Sequence, residues 1–205
     1  MAEFKFPEEK NLVFIGEAGS GKTETAVNLA LRMAREGGRR VHFFDMDQTK
    51  PLFRARDCEA QLEREGVVFH FQAQYLDAPT VASGVIETLR DEGSAVIMDI
   101  GGGSHGSHMI GQFSHLLNSA NTLVLYIVNP FRPWSGSRED IEVTMRRVLG
   151  AARLGSFRLV ANPNLGPETR AEDVLAGLRR FQGLFPGEEA LFACALDMRK
   201  YLVKK

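Results

Sequence analysis

Gly16-Glu17-Ala18-Gly19-Ser20-Gly21-Lys22-Thr23 follows directly on the apolar run Asn11-Leu12-Val13-Phe14-Ile15, and this junction decides how the rest of the chain is read. The eight residues fit G-x-x-x-x-G-K-[ST], a loop whose backbone N–H groups surround phosphate oxygens. Glycine lets the backbone curl so that those N–H groups converge, a conformation that larger residues resist. Behind the loop, Ala26, Leu29, Ala30 and Met33 recur at helical spacing, and Gly37-Gly38 closes the run. A helix starting there aims its unpaired N–H groups and positive dipole end at the anion. Lys22 is expected to reach the β- and γ-phosphates, and Thr23 to offer its hydroxyl to Mg²⁺.

Outward from that junction, short apolar runs alternate with helical patterns. Strands are expected over 11–16, 40–45, 67–71, 95–100, 121–128, 157–162 and 190–194. Most are continuously apolar, as parallel strands covered on both faces should be. Met109, Phe113, Leu116, Leu117 and Ala120 share one helical face. So do Ile141, Met145, Val148, Leu149 and Ala152, and again Ala171, Val174, Leu175 and Leu178. Thr169-Arg170-Ala171-Glu172 has the spacing of a capping box and should start that last helix. The alternation predicts an α/β fold in three layers, a mostly parallel sheet of about seven strands with helices on both faces. No repeat, low-complexity tract or linker divides the chain, so one domain is expected over 1–205.

Ligand groups in such sheets gather at the carboxyl ends of the strands. The second strand ends in Asp45-Met46-Asp47-Gln48. Two acids spaced i, i+2 there suit Mg²⁺ held through water and an oriented attacking water; the bland reading is a turn and N-cap pair. The fourth strand ends in Asp99-Ile100-Gly101-Gly102-Gly103. Its acid is a second anchor for nucleotide-bound Mg²⁺, and its glycines permit close approach to a γ-phosphate and a switching movement. A plain glycine-rich turn is the alternative.

Composition narrows the function classes. The 205 residues are 44% hydrophobic and 25% charged, with a net charge of −1, so no global field draws the chain to nucleic acid or anionic lipid. Cys58 and Cys194 lie far apart and form no C-x-x-C pair, which fits reduced thiols in the cytoplasm. No segment approaches the length of a membrane span, and Met1-Ala2-Glu3-Phe4-Lys5 lacks a signal peptide's apolar core. A cytoplasmic protein without membrane partners is expected.

The loop, the D-x-D-Q after the second strand and the D-x-G-G after the fourth together resemble the MinD/ParA-type P-loop ATPases, the group sharing a CobQ/CobB/MinD/ParA nucleotide-binding domain. The resemblance covers most of the chain. Pro51-Leu52-Phe53-Arg54-Ala55-Arg56-Asp57 and Asn129-Pro130-Phe131-Arg132-Pro133 look like small stand-alone members of that group. It implies ATP and Mg²⁺ as cofactors. Gly16, Glu17, Ala18, Gly19, Ser20, Gly21, Lys22, Thr23 and Thr25 would then surround the nucleotide, with Thr23, Asp45 and Asp99 toward the metal. Lys22 and Asp47 would be catalytic, Asp47 by positioning the hydrolytic water. Gly102 would approach the γ-phosphate, and Asn162 would contact adenine, although an Asn-Pro turn explains Asn162-Pro163 equally well. One departure stands out. The group usually carries a second lysine after the loop's first glycine, reaching across a dimer, whereas this chain has Glu17, which argues against such a homodimer.

The function so implied is a Mg-ATP-binding, slowly hydrolysing switch for a protein partner. Unaided attack of water should be slow, because no arginine finger is visible in the sequence. The alternative is an ATP-dependent phosphoryl-transfer or ligase enzyme, with a small acidic substrate near Arg54, Arg56 and Arg132; a third is a scaffold that holds nucleotide without turnover. ATP is expected over GTP because no N-K-x-D occurs, and Asn162-Pro163-Asn164-Leu165 stands in the late strand's wake. His105, His108 and His115 sit near the glycine run, as metal ligands or as solvated loop residues. Arg54 and Arg56 read as surface ion pairs or substrate contacts, and Arg132 with Trp134 as a seal or a partner anchor. Arg39-Arg40, Arg146-Arg147 and Arg179-Arg180, at or near helix ends, fit dipole complementarity better than nucleic-acid binding.

Overall fold

Six strands form: β1 (Asn11–Ile15), β2 (Arg40–Met46), β3 (Val68–Phe71), β4 (Ser94–Ile100), β5 (Thr122–Val128) and β6 (Arg158–Ala161). The computed structural model describes residues 7–47, 55–71 and 83–195, with backbone alone at 104 and 105. β1 and β4 are buried at every position, which places them at the centre of the sheet. The order is β3-β2-β4-β1-β5-β6, and every neighbouring pair is parallel. β2 to β4 extend the sheet on one side of β1 and β5 to β6 on the other. The loop after β1 therefore opens into the crevice where the winding changes direction.

The helices are α1 (Lys22–Glu36), α2 (Glu59–Arg64), α3 (Val85–Arg90), α4 (Ser104–Ile110), α5 (Ser114–Leu117), α6 (Arg138–Ala152) and α7 (Ala171–Leu184). Two buried layers separate by strand parity. Leu12, Phe14, Phe43 and Ile97 meet α1 through Ala26, Val27 and Ala30, with Leu62 of α2 beside them. Val13, Phe44, Met98 and Tyr126 face the other way, onto Ile110, Ile141, Val148 and Phe181. Full burial of such side chains contributes about 1.5–3 kcal/mol each before entropy is counted. Among the described residues no helix is long and apolar enough to cross a membrane.

Four expectations are corrected. The run 190–194 lies along β6 through three backbone hydrogen bonds, Leu191 N–H to Leu159 O, Ala161 N–H to Phe192 O and Cys194 N–H to Ala161 O, but closes only one parallel bridge, Ala161 with Ala193, so it stops short of a full seventh strand. The helical face over Met109–Ala120 is broken, with a 3₁₀ turn at Gly111–Phe113 between α4 and α5. Gly111 sits where the α6 backbone presses in, 2.9 Å from Ala151 O to the place a Cβ would take. In α7 the buried positions are Gly177 and Phe181, while Leu175 is 56% exposed, because the helix docks its Gly177 backbone on Pro163 and Phe131. Thr169 does not cap α7: Arg170 is the N-cap, its N–H donates to Asp173 Oδ2, and the Thr169 hydroxyl turns back to Gly166 O. Gln48, Arg54 and the rest of Pro51–Arg54, Met1–Lys5 and the His105 side chain lie outside the described residues.

Candidate functional site

Asp45 on β2 stands directly beside Asp99 on β4 in the parallel register. Phe43 and Ile97, two residues earlier on each strand, belong to the layer that faces α1. The period of two therefore turns both acids toward the side of the sheet on which α1 begins. Asp47, just past β2, is 8% exposed. Its Oδ1 hangs over the fourth strand's loop, 2.9 Å from where a Cβ on Gly101 would sit. Gly102 in turn rests on the phosphate loop, and a Cβ there would come within 2.7 Å of the Ala18 backbone. The loop after β4 thus touches both of the other two loops predicted to carry the chemistry.

Inside the loop, Lys22 is buried and its Nζ donates to Glu17 O at 3.0 Å. The Ser20 N–H also donates to Glu17 O, at 3.2 Å. Thr25 is turned inward along α1, its hydroxyl donating to Gly21 O at 2.8 Å. Asn162, at the end of β6, donates its amide to Ser20 O at 2.7 Å, so it props the loop from below. Gly21 has φ 92°, and any side chain there would run into the Asn162 amide. That double demand explains the glycine.

Burial dominates the electrostatics. Asp99 is fully buried, and neither carboxylate oxygen has a hydrogen-bond partner. Desolvation pushes its pKa up to about 7; the nearby Thr23 hydroxyl and Lys22 charge pull the other way, and Asp45 and Asp47 add to the rise. Desolvation lowers the pKa of Lys22 against the opposing pull of Asp99, Asp47 and Glu17. Asp45 is also raised by burial, but its oxygens are satisfied: Oδ1 accepts from Asp47 N at 3.0 Å and Oδ2 from Arg56 Nε at 3.1 Å. The buried Ser20 hydroxyl is unpartnered as well. An orphaned carboxylate beside a buried lysine, with the Thr23 hydroxyl near it, fits a hydrated divalent cation and the phosphate oxygens it carries. No cage of three His, Cys, Asp or Glu groups exists among the described residues, and His108 and His115 are exposed. Mg²⁺ bound by one or two carboxylates plus phosphates needs no such cage.

A cleft of about 170 Å³ adjoins the loop, lined by Gly19, Gly21, Glu24, Arg132, Asn162 and Asn164 among others. Three contacts made by the loops at this end of the sheet are not legible in the sequence. Arg132 donates to Gly19 O at 3.0 Å, with Trp134 beside the same glycine. Glu17 accepts from Arg147 at 2.9 Å, which places Arg147 of α6 against the loop and away from any helix end. Arg56 reaches back to Asp45 and to Asp47 O, so it is more than a surface ion pair. Each joins residues more than eight apart, and no periodicity or motif announces it.

A family model for the CobQ/CobB/MinD/ParA nucleotide binding domain matches residues 12–159. Among curated proteins no significant sequence relative is found. Solved structures share the fold. The signal recognition particle receptor FtsY from Elizabethkingia anophelis in complex with GDP aligns with TM-score 0.52 and 21% identity, over 77% of this chain and 50% of that one. The cell division protein FtsY from Thermotoga maritima aligns with TM-score 0.54 and 18% identity, over 78% and 55%. The signal recognition particle 54 kDa protein from Aeropyrum pernix K1, in complex with GDP, aligns with TM-score 0.53 and 18% identity, over 92% and 42%. The chain thus spans about half the length of the structures it matches.

Proposed function

The chain belongs to the CobQ/CobB/MinD/ParA nucleotide-binding domain family, and from that premise we propose that it is a single-domain, cytoplasmic Mg-ATP-binding protein that hydrolyses ATP slowly and switches a protein partner. The observation that carries this reading is Asp99, buried without a hydrogen-bond partner beside Lys22 at the start of α1. Lys22 and the loop N–H groups take the β- and γ-phosphates. Thr23 and Asp99 hold the metal side, with Asp45 behind them. When bound, Mg²⁺ supplies charge neutralisation across the phosphate oxygens.

Asp47 orients the attacking water, and Gly102 brings backbone to the γ-phosphate. The contact of Gly102 with Ala18 supports a loop that senses whether that phosphate is present. Asn162 works on the nucleotide through the loop it props, and it borders the cleft beside that loop, which takes the adenine in this reading. ATP is assigned over GTP because the late strand is followed by Asn162-Pro163-Asn164-Leu165 instead of N-K-x-D. The engagement of Arg56 and Arg132 with the protein's own backbone weighs against an acidic-substrate pocket. Glu17, where a second lysine would otherwise reach across a dimer, weighs against sharing phosphates with a second copy.

Nucleotide titration with phosphate-release kinetics tests the reading. Wild-type protein is expected to bind ATP with Mg²⁺ and release phosphate slowly, and Lys22→Ala to lose at least 100-fold in affinity, as charge-assisted phosphate contacts in a buried site predict. A Lys22→Ala protein with normal binding and turnover overturns it.

A further inference from the structure

Resting on the assignment of Asp47 to the attacking water, we propose that Arg56 is the positioning residue that sets Asp47, by gripping the backbone on one side of it and the carboxylate of Asp45 on the other. Asp47 lies one residue past the end of β2. Two bonds hold its backbone. The Asp47 N–H donates to Asp45 Oδ1 at 3.0 Å, and the Asp47 carbonyl accepts from Arg56 NH2 at 2.6 Å. Arg56 Nε closes the circuit on Asp45 Oδ2 at 3.1 Å. The peptide groups on both sides of the Asp47 Cα are thereby held, and the side chain leaves that Cα in one direction, over Gly101.

The guanidinium is itself constrained. It lies 3.8 Å from the centroid of the Phe71 ring at the end of β3, so its plane is fixed by stacking as well as by its acceptors. Its side chain is 22% exposed, against 1% for that of Asp45. A surface ion pair would not be expected to bury its acid or to spend a second donor on a carbonyl two residues on. Only a planar fork makes both bonds while stacked; a lysine ammonium does not. The arrangement joins the ends of β2 and β3 to the loop after β4, and Asp47 stands where they meet.

The test combines turnover, affinity and chemical rescue. Arg56→Ala is expected to lower kcat for Mg-ATP about 10- to 100-fold, the range for residues that orient a reacting group from behind, while nucleotide Kd moves less than about threefold because Lys22 and the loop are untouched. Arg56→Lys should fall between the two. Guanidinium chloride well below denaturing concentration should restore part of the Arg56→Ala kcat without changing wild type, by filling the vacated site between Phe71 and Asp45. Arg56→Ala with wild-type kcat overturns the inference and leaves the nucleotide site standing. So does a parallel loss of kcat, affinity and Tm with no rescue, which marks a merely structural role. Wild-type protein that binds Mg-ATP and never releases phosphate overturns the inference together with the hydrolytic reading.

Discussion

Replacing Asp99 by asparagine should make the nucleotide-free protein more stable, and increasingly so as the pH rises. The carboxyl's pKa is pushed up to about 7 in the folded chain, from an ordinary value of 3.8, chiefly because burial disfavours its charge. Below the ordinary value both states are protonated and Asp99 costs nothing. Between the two values the unfolded chain ionises while the native site stays protonated, so stability falls as pH rises; above about 7 the loss is complete. At about 1.4 kcal/mol per unit, a rise of roughly three units corresponds to about 4 kcal/mol at pH 8. A buried amide without partners gives back about 1–3 kcal/mol of that. The change with pH is cleaner than the absolute value. Between pH 5 and 8, the advantage of Asp99→Asn should widen by about 2–3 kcal/mol, or roughly 5–10 °C in Tm for a chain of this size. Urea unfolding of both proteins in EDTA, without nucleotide, measures it. An Asp99→Asn advantage that stays flat from pH 5 to 8 would refute the claim that a desolvated carboxylate is stored at the end of β4.

The same variant should lose the thermal stabilisation that Mg-ATP gives wild type, since binding to the native state alone raises Tm by mass action. Gly102→Ala, whose Cβ would lie 2.7 Å from the Ala18 backbone, should cost about 1–3 kcal/mol by overpacking and slow phosphate release, as denaturation and turnover assays would show. Asn162→Ala removes the bond to Ser20 O and should cost about 1–3 kcal/mol in urea unfolding while raising Kd for ATP several-fold. Glu17→Lys breaks a pair whose arginine is 57% exposed, so stability should change by less than about 1 kcal/mol. If the Glu17 charge is what opposes a shared-nucleotide dimer, light scattering should then show ATP-dependent dimers.

Local spacing made much of this molecule legible. The phosphate loop follows a strand and opens a helix within a dozen residues, and glycines mark its turns. Asp45 and Asp99 end continuous apolar runs, and strand register alone brings them side by side. What stayed hidden depends on contacts between distant segments. Asn162 reads as an adenine contact or an Asn-Pro turn, and neither reading announces that its amide reaches Ser20, 142 positions away. Arg56 reads as a surface ion pair or a substrate contact, because nothing local shows that it lies over Phe71 and against Asp45. The buried side of α7 is hidden for a related reason: the helix meets Phe131 and Pro163 through a glycine, and a face without a side chain leaves no hydrophobic signal. The 190–194 run carries a strand's composition and does bond to β6, yet only one residue pair of it forms a bridge.

Isothermal titration calorimetry of the full chain with a slowly hydrolysed ATP analogue, with Mg²⁺ and then with EDTA, bears most directly on a nucleotide held between Lys22 and Asp99. One site per chain, weakened at least tenfold by EDTA and lost in Lys22→Ala, is the expected result. No binding heat for the ATP or the GTP analogue, or equal affinity with and without Mg²⁺ and Lys22, would contradict it.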